Sequence, residues 1–498
     1  MAGNPHIDQA GDFRLPSIVL HNHQNNGISN KTLGTDIKHM VQEFNIYEDM
    51  FSSAMSGTLV IADSRNLVAN LPIQGTERLT FKLETPGARD QTEVIDCTDE
   101  SGHPMHIYKL TNKKQAKDGL QIYTLHFCSR ELLRSTRTRV SQAYSGRIDQ
   151  MVSSIFDDEN YLDSKKTLRV QKTRNQDKIV IPNLSPFEAI AMLSSRALAD
   201  SSTNKSAGYY FWETSKGFQF RSWESLCSDE QGNPRKIKQT FRFMPMNIKD
   251  PNITDKISHD YTSVEEYKFT NNFHDVLANT VLGTYGHRVI THSLYDKSYR
   301  EDSYHYHNSF SDTNHTDGPN PAVVDTPVDF DDKTISDYPE SRVSVVPTTR
   351  FTHGEDTGSY GIDVTQDGII DGEQTSQRNQ IMSGTRLQMT IKGQSNIEVG
   401  DVIQFDLVSV ENKVITRARL DPQYSGRYII TKIRHRVTDT DYLQVIECTK
   451  DSVAKAFSSH RLKSYPGKKP RNSKAIIKDA FSGNPHNDTF LSKSPSSI

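Results

Sequence analysis

Leu120-Gln121-Ile122-Tyr123-Thr124-Leu125-His126-Phe127-Cys128 follows Ile107-Tyr108-Lys109-Leu110 across the polar turn Lys117-Asp118-Gly119. Alternation of apolar and polar side chains on either side of such a turn reads as a half-buried β-hairpin. Far downstream, Tyr428-Ile429-Ile430-Thr431-Lys432-Ile433 and Tyr442-Leu443-Gln444-Val445-Ile446-Glu447-Cys448 repeat the form. Tyr108 stands twenty residues before Cys128, and Tyr428 twenty before Cys448; Leu120-Gln121 and Leu443-Gln444 lead the second strands, and Glu131 or Asp451 follows. Ser-Gly also opens a strand twice, at Ser56-Gly57 and Ser425-Gly426, although at different places in the two groups. The correspondence predicts an internal repeat; the alternative is chance likeness between two amphipathic hairpins.

More strands surround each hairpin. Ser56-Gly57-Thr58-Leu59-Val60-Ile61-Ala62-Asp63 and Leu79-Thr80-Phe81-Lys82-Leu83-Glu84 precede the first, while Thr385-Arg386-Leu387-Gln388-Met389-Thr390-Ile391 and Val402-Ile403-Gln404-Phe405-Asp406-Leu407 precede the second. Several short strands at this spacing suggest a small barrel or sandwich. Between them the period changes. Ile148, Met151, Val152, Ile155 and Phe156 share one helical face. Ser185-Pro186-Phe187-Glu188 combines a hydroxyl cap, proline at the first helical position and a glutamate placed to return the hydrogen bond, which predicts a helix to about Ala199. Tyr209 to Glu213 and Phe218 to Arg221, joined by Thr214-Ser215-Lys216-Gly217, form a further hairpin.

The expected fold class is α+β, mainly β: two related small β-barrel domains with an inserted α+β domain and an extended polar linker. The expected division is an N-terminal arm at 1–35, a first barrel at 36–130, the α+β domain at 131–259, a second barrel from 260–298 and 379–455, an acidic polar arm at 299–378 and a basic tail at 456–498. The arm is expected because Asp312, Asp317, Asp325, Asp329, Asp331, Asp332, Asp337 and Glu340 alternate with prolines, leaving little apolar surface to offset ordering entropy.

Hydrophobic residues make up 34% of the 498, and the fraction stays below the usual ~45–50% even with the 27 glycines counted in. Much edge or subunit-facing surface is therefore expected. The 59 Lys and Arg nearly balance the 62 Asp and Glu, so no global charge points to nucleic acid or an anionic membrane. The first thirty residues lack the pattern of a secretory signal, and no apolar run approaches the ~18 residues that span a bilayer; a soluble, cytoplasmically made protein is expected. Cys97, Cys128, Cys227 and Cys448 are widely separated and read as buried thiols.

No phosphate loop, HExxH, GxSxG or dinucleotide fingerprint occurs, and no catalytic, cofactor-binding or metal-binding residue is nominated. His305, His307 and His315 are a possible metal group, with a solvated loop as the competing reading. Asp363-Val364-Thr365-Gln366-Asp367-Gly368-Ile369-Ile370-Asp371 spaces oxygen ligands like a calcium loop, but Gln374 stands where a bidentate glutamate belongs. The aromatic hairpin Tyr209, Tyr210, Phe211, Trp212, Phe218 and Phe220 reads as core on one face and subunit contact on the other, with sugar or base stacking as the alternative. Arg461, Lys463, Lys468, Lys469, Arg471, Lys474 and Lys478, with no acid between them, read as a solvated or interacting tail.

Asn45-Ile46-Tyr47-Glu48-Asp49-Met50-Phe51 with Ser56 to Ser64, then Asn70-Leu71-Pro72-Ile73-Gln74-Gly75, resembles the opening of the central baseplate hub proteins of contractile-tailed, T-even-like bacteriophages. Gly208 to Phe218, Val399-Gly400-Asp401-Val402-Ile403 and Asp421 to Tyr428 continue the likeness, which spans about 36 to 455. The resemblance implies a homotrimer whose two tube barrels per chain make a pseudo-sixfold ring. Such a ring would join the sixfold tail tube protein to the trimeric spike protein, contact baseplate wedge proteins and pass DNA without binding it specifically. It implies a structural virion protein with no catalytic role. A hub-associated peptidoglycan hydrolase and a host-glycan-binding tail protein are the alternatives.

Overall fold

The computed structural model describes residues 10–22, 33–70, 73–85, 93–174, 176–200, 207–243, 256–271, 275–293, 297, 299–325, 327, 332–348, 384–409 and 420–455. Ten strands form its frame. Five lie early: β1 (Val41–Asp49), β2 (Ser56–Asp63), β3 (Arg78–Thr85), β4 (Met105–Lys117) and β5 (Leu120–Ser129). Five lie late: β6 (Val264–Asn271), β7 (Thr385–Lys392), β8 (Val402–Leu407), β9 (Gly426–Val437) and β10 (Tyr442–Lys450).

The early group pairs β1–β2, β2–β5, β5–β4 and β4–β3, every pair antiparallel. The late group pairs β6–β7, β7–β10, β10–β9 and β9–β8, again antiparallel. Chain order and pairing order therefore coincide, and the mainly β expectation with an internal repeat holds. Both groups belong to one sheet, joined where β9 pairs with β1, and in the late group a further strand, Gln239–Phe243, pairs in parallel with β8 and bridges through Arg242 to Ser263 beside β6.

The repeat extends to register. Val41 faces Ile61 and Glu43 faces Val60 across a bulge; Val264 faces Ile391 and Glu266 faces Thr390 across the same bulge. Ile107 faces Phe127 and Lys109 faces His126 around a bulge at Tyr108; Ile430 faces Cys448 and Lys432 faces Glu447 around one at Thr431. Glu43 thus corresponds to Glu266, Lys109 to Lys432, and Phe127 to Cys448. The alignment of Cys128 with Cys448 suggested by sequence spacing is one residue out of register. Cys128 corresponds to Thr449, and exposed Tyr108 does not correspond to fully buried Tyr428.

Each group has its own apolar core. Phe44, Leu59, Ile61, Leu79, Phe81, Leu125 and Phe127 sit in the early one; Met389, Ile391, Ile403, Phe405, Ile430, Ile446 and Cys448 sit in the late one. A third core, with Ile148, Val152, Ile155, Phe156, Ile190, Leu193, Phe211, Phe218 and Phe220, belongs to the intervening α+β region. Its helices span Ile148–Asp157 and Pro186–Ser194, the second opened by the expected capping box at Ser185 and Glu188. All four cysteines are buried free thiols.

Three expected boundaries shift. The segment before residue 36 is more than an arm: Ile18–Asn22 pairs with β3 and with Leu33–Asp36, and Phe13, Leu15, Ile18 and Leu20 enter the early core. Residues 275–298 do not extend the late group. Val276–Val281 is helical, and Gly286–Ser293 pairs with Tyr299–His305 and Val343–Thr348 in a separate sheet. That sheet occupies much of the expected acidic arm. Tyr285, Tyr306, Phe310 and Ile335 give it a small core, apolar surface that a count of Asp and Pro overlooks.

Candidate assembly interface

The junction between the two groups is a six-residue antiparallel register from Lys432 opposite Asp49 to Val437 opposite Phe44. Backbone pairing supplies its affinity and side chains set its register. On its accessible face β9 is basic and β1 acidic. Lys432 Nζ lies 3.3 Å from Asp49, Arg434 Nη2 3.0 Å from Glu43, and Arg436 Nε 3.5 Å from the same Glu43 carboxylate. Arg434 Nε also donates to Asn45 Oδ1 at 2.9 Å. Each exposed pair is worth about 0–1 kcal/mol, so their main effect is to disfavour a slipped register.

The opposite face of the junction is buried. His435 and Glu48 are buried there, with His435 Nδ1 2.7 Å from the Tyr442 hydroxyl. The Glu48 carboxylate accepts from Ser215 N at 2.9 Å and Val399 N at 3.4 Å. This ties the junction to the Tyr209–Thr214/Gly217–Ser222 hairpin. Trp212 of that hairpin donates to Val399 O at 3.3 Å and lies in the late core, whereas Tyr209, Phe211, Phe218 and Phe220 face the α+β core. The second aromatic face is thus covered from within the chain, not reserved for another subunit.

Another buried group fixes the α+β region to the early strands. Lys166 Nζ lies 2.9 Å from Glu131 and 2.6 Å from Glu213, and Glu213 accepts Met55 N at 2.8 Å. Burial opposes the ammonium, but the two carboxylates more than offset it and hold the Lys166 pKa above its ordinary value. Burial raises Glu213, while for Glu131 burial is more than reversed by the charge of Lys166 together with hydrogen bonds from Lys166 and Ser164, which lower it.

The repeat leaves two edges. β4 pairs with β3 only at Met105 and His106, and among the described residues nothing pairs with its outer edge from Lys109 to Lys117. β6 forms its ladder only with β7 there, with the strand Gln239–Phe243 beside its start, where Arg242 bridges Ser263 and Phe243 packs on Tyr267; from Val264 onward no described residue bridges its outer edge. β4 is the counterpart of β9 and β6 the counterpart of β1, so the free edges repeat the strands of the internal junction. Their charges repeat in part. Lys109 stands where Lys432 stands, Lys114 (opposite Ile122) where Arg436 stands (opposite Leu443), and Glu266 where Glu43 stands, whereas Thr111 replaces Arg434 and Lys268 replaces Asn45. Lys109, Lys114 and Glu266 are all exposed.

The histidines considered for metal do separate work. His305 caps the helix Tyr306–Phe310, His307 contacts Ser336 Oγ at 2.5 Å and Val323 O at 2.8 Å, and His315 stacks on Phe310 and lies 3.0 Å from Asp451. Among the described residues no three potential ligands gather. The calcium-like loop at Asp363–Asp371 and the basic tail lie outside the described residues. The edge pattern was not read from the sequence; the signal for it was the lysine run at 109–117 and the glutamates at 265–266, meaningful only once the register relates them to 432–436 and 43.

No protein-family model matches the chain, and no curated protein matches it. Among solved structures, the chain is similar to the 43 kDa tail protein of prophage MuSo2 from Shewanella oneidensis (9% identity, 87% of this chain and 98% of that one, TM-score 0.46). It is also similar to the tail protein from Neisseria meningitidis MC58 (10% identity, 87% and 96%, TM-score 0.46). A third is the E. coli c3393 protein, described as a type VI secretion component structurally similar to T4 tail proteins gp27 and gp5 (10% identity, 83% and 74%, TM-score 0.38). Among the described residues no helix is long and apolar enough to cross a membrane.

Proposed function

We propose that the chain is the structural hub of a phage tail baseplate. Three copies join head to tail through the β4 edge of one and the β6 edge of the next, giving six related strand groups around one axis. A ring that is threefold in sequence and nearly sixfold in shape fits a sixfold tail tube on one side and a threefold spike on the other, with DNA passing through the centre. It catalyses no reaction; its work is matching symmetries within the virion tail. The homotrimer, spike, tube and wedge contacts follow the hub resemblance.

One observation supports the reading: the strands of the β9–β1 junction within a chain have counterparts in the β4 and β6 edges, with Lys109, Lys114 and Glu266 standing where Lys432, Arg436 and Glu43 stand. A heterologous contact between unlike edges gives a closed ring or an open filament, according to the rotation it imposes. Long unpaired edges are otherwise an aggregation hazard, and lysines on β4 also discourage wrong partners.

Light scattering with negative-stain imaging tests it. A ring of three chains with a central hole is expected. Lys114→Glu and Glu266→Lys should each shift the protein toward monomer, and the two together, which restore opposite charge across the contact, should recover the ring. A monomer at all concentrations, or assembly indifferent to both reversals, would overturn it.

A further inference from the structure

Beside the aromatic hairpin, away from the free edges, is a cavity of about 1010 Å³. Its walls come from strand Leu168–Val170 and the two residues after it, from the end of strand Gly217–Ser222, and from the helix Trp223–Cys227 with the turn that follows. Two arginines define its floor. Arg221 Nη2 donates to the Ser225 carbonyl at 3.1 Å and Arg235 Nη1 donates to the same oxygen at 2.6 Å. One carbonyl has two lone pairs, so these bonds saturate it. Each guanidinium retains further N–H donors, and among the described residues neither forms an ion pair.

Two like charges held on one oxygen are costly unless an anion joins them. Burial pushes the Arg221 pKa down to about 10, and the field of Arg235 adds to the fall. The backbone holds the pair in place: Arg235 N donates to Cys227 O at 2.9 Å, the Arg427 guanidinium donates to Arg235 O, and Arg221 is fixed by its register opposite Tyr210. Lys172 and Lys236 add positive charge at the walls. The site is therefore preorganised for a planar oxyanion, the shape that guanidinium forks match bidentately.

We propose that this cavity binds a short acidic peptide segment of a partner protein, one carboxylate bridging Arg221 and Arg235. The lining also contains Asp200, Asp229 and Glu230. That mixture disfavours a densely charged polyphosphate, and suits a peptide carrying an isolated acid with polar or basic neighbours. The volume is at the top of the ~300–1,000 Å³ range of small-ligand pockets, leaving room for several residues. The proposal does not depend on the ring: neither Arg221 nor Arg235 lies on an edge strand.

Isothermal titration of the full chain at low salt with the peptide acetyl-Gly-Ser-Glu-Ser-Gly-amide, its Gln counterpart and inorganic phosphate tests it. The Glu peptide is expected to bind in the millimolar range or tighter, the Gln peptide at least tenfold more weakly, and Arg221→Gln or Arg235→Gln to lose tenfold or more while melting as the parent does. Phosphate binding without peptide binding would overturn the peptide in favour of a small anion. Absence of heat with every probe, or equal binding by both arginine variants, would overturn the site. If a glutamine variant misfolds, Arg221→Lys serves in its place, since it keeps the charge and loses the fork; it too should bind more weakly.

Discussion

Asp451 shows how a single buried carboxylate can fix a distant segment. It accepts Thr316 N at 2.9 Å and lies 3.0 Å from His315, while the neighbouring Lys450 reaches Asp317 at 3.2 Å. Asp317 in turn accepts Arg427 N at 2.8 Å and approaches Gly426 so closely that a Cβ there would lie 2.2 Å from its carboxylate oxygen. With φ at +136°, Gly426 suits glycine on both counts. Burial alone would raise the Asp451 pKa; His315 and the hydrogen bonds more than reverse this and lower it from 3.8 to about 2. A lowered carboxylate pKa stabilises the fold above the unfolded value, and the gain disappears as pH falls through the folded one. Asp451→Asn is therefore expected to cost about 2 kcal/mol at neutral pH, with the difference from the parent closing between about pH 4 and pH 2. Urea unfolding across that range measures it. At the Lys166 group, Lys166→Met leaves two carboxylates buried without their cation and is expected to cost about 3–5 kcal/mol at pH 7, also measured by urea unfolding.

Strand pairs show why the repeat was legible in outline and misaligned in detail. Gly57 faces Phe127 in the early group, and at the same place in the late group Leu387 faces Cys448. The large residue has changed strands. A Cβ on Gly57 would meet the Phe127 ring at 2.1 Å and the Asn45 carbonyl at 2.4 Å, so glycine there makes room for phenylalanine, as cysteine makes room for leucine. Sequence reading matched cysteine to cysteine because spacing shows residue identity, not cross-strand volume. The same reading found the hairpins, the capped helix and the mainly β character, since these are local signals. It missed the sheet at 286–348, whose few core residues are scattered among acids and prolines. Phe127→Cys is expected to cost about 3–5 kcal/mol through the cavity it leaves, and Gly57→Leu to be destabilising through overpacking. The double variant transplants the late pair into the early group and should be more stable than the sum of the two costs by at least about 1 kcal/mol. A double-mutant cycle in urea measures this coupling, and strict additivity would mean that the two positions do not share volume.

For the whole molecule, the repeat makes a prediction about two kinds of backbone edge. The Lys432–Val437 register is present in every isolated chain, because its partner β1 belongs to the same molecule. Among the described residues the Lys109–Lys117 edge has no partner within the chain, and in the proposed ring it gains one only from another copy. Opening free energies read from amide exchange distinguish a permanent pairing from a conditional one. At concentrations that favour the monomer, outward amides of Lys109–Lys117 are expected to exchange far faster than those of Lys432–Val437. As concentration rises through assembly, the β4 amides should slow by at least tenfold together with those of β6, while the β9 amides stay unchanged. Glu266→Lys should keep β4 fast at the same concentration without loosening β9, which separates loss of assembly from loss of fold. If β4 is already protected in the monomer, it has a partner within its own chain, and six-group closure through that edge is impossible.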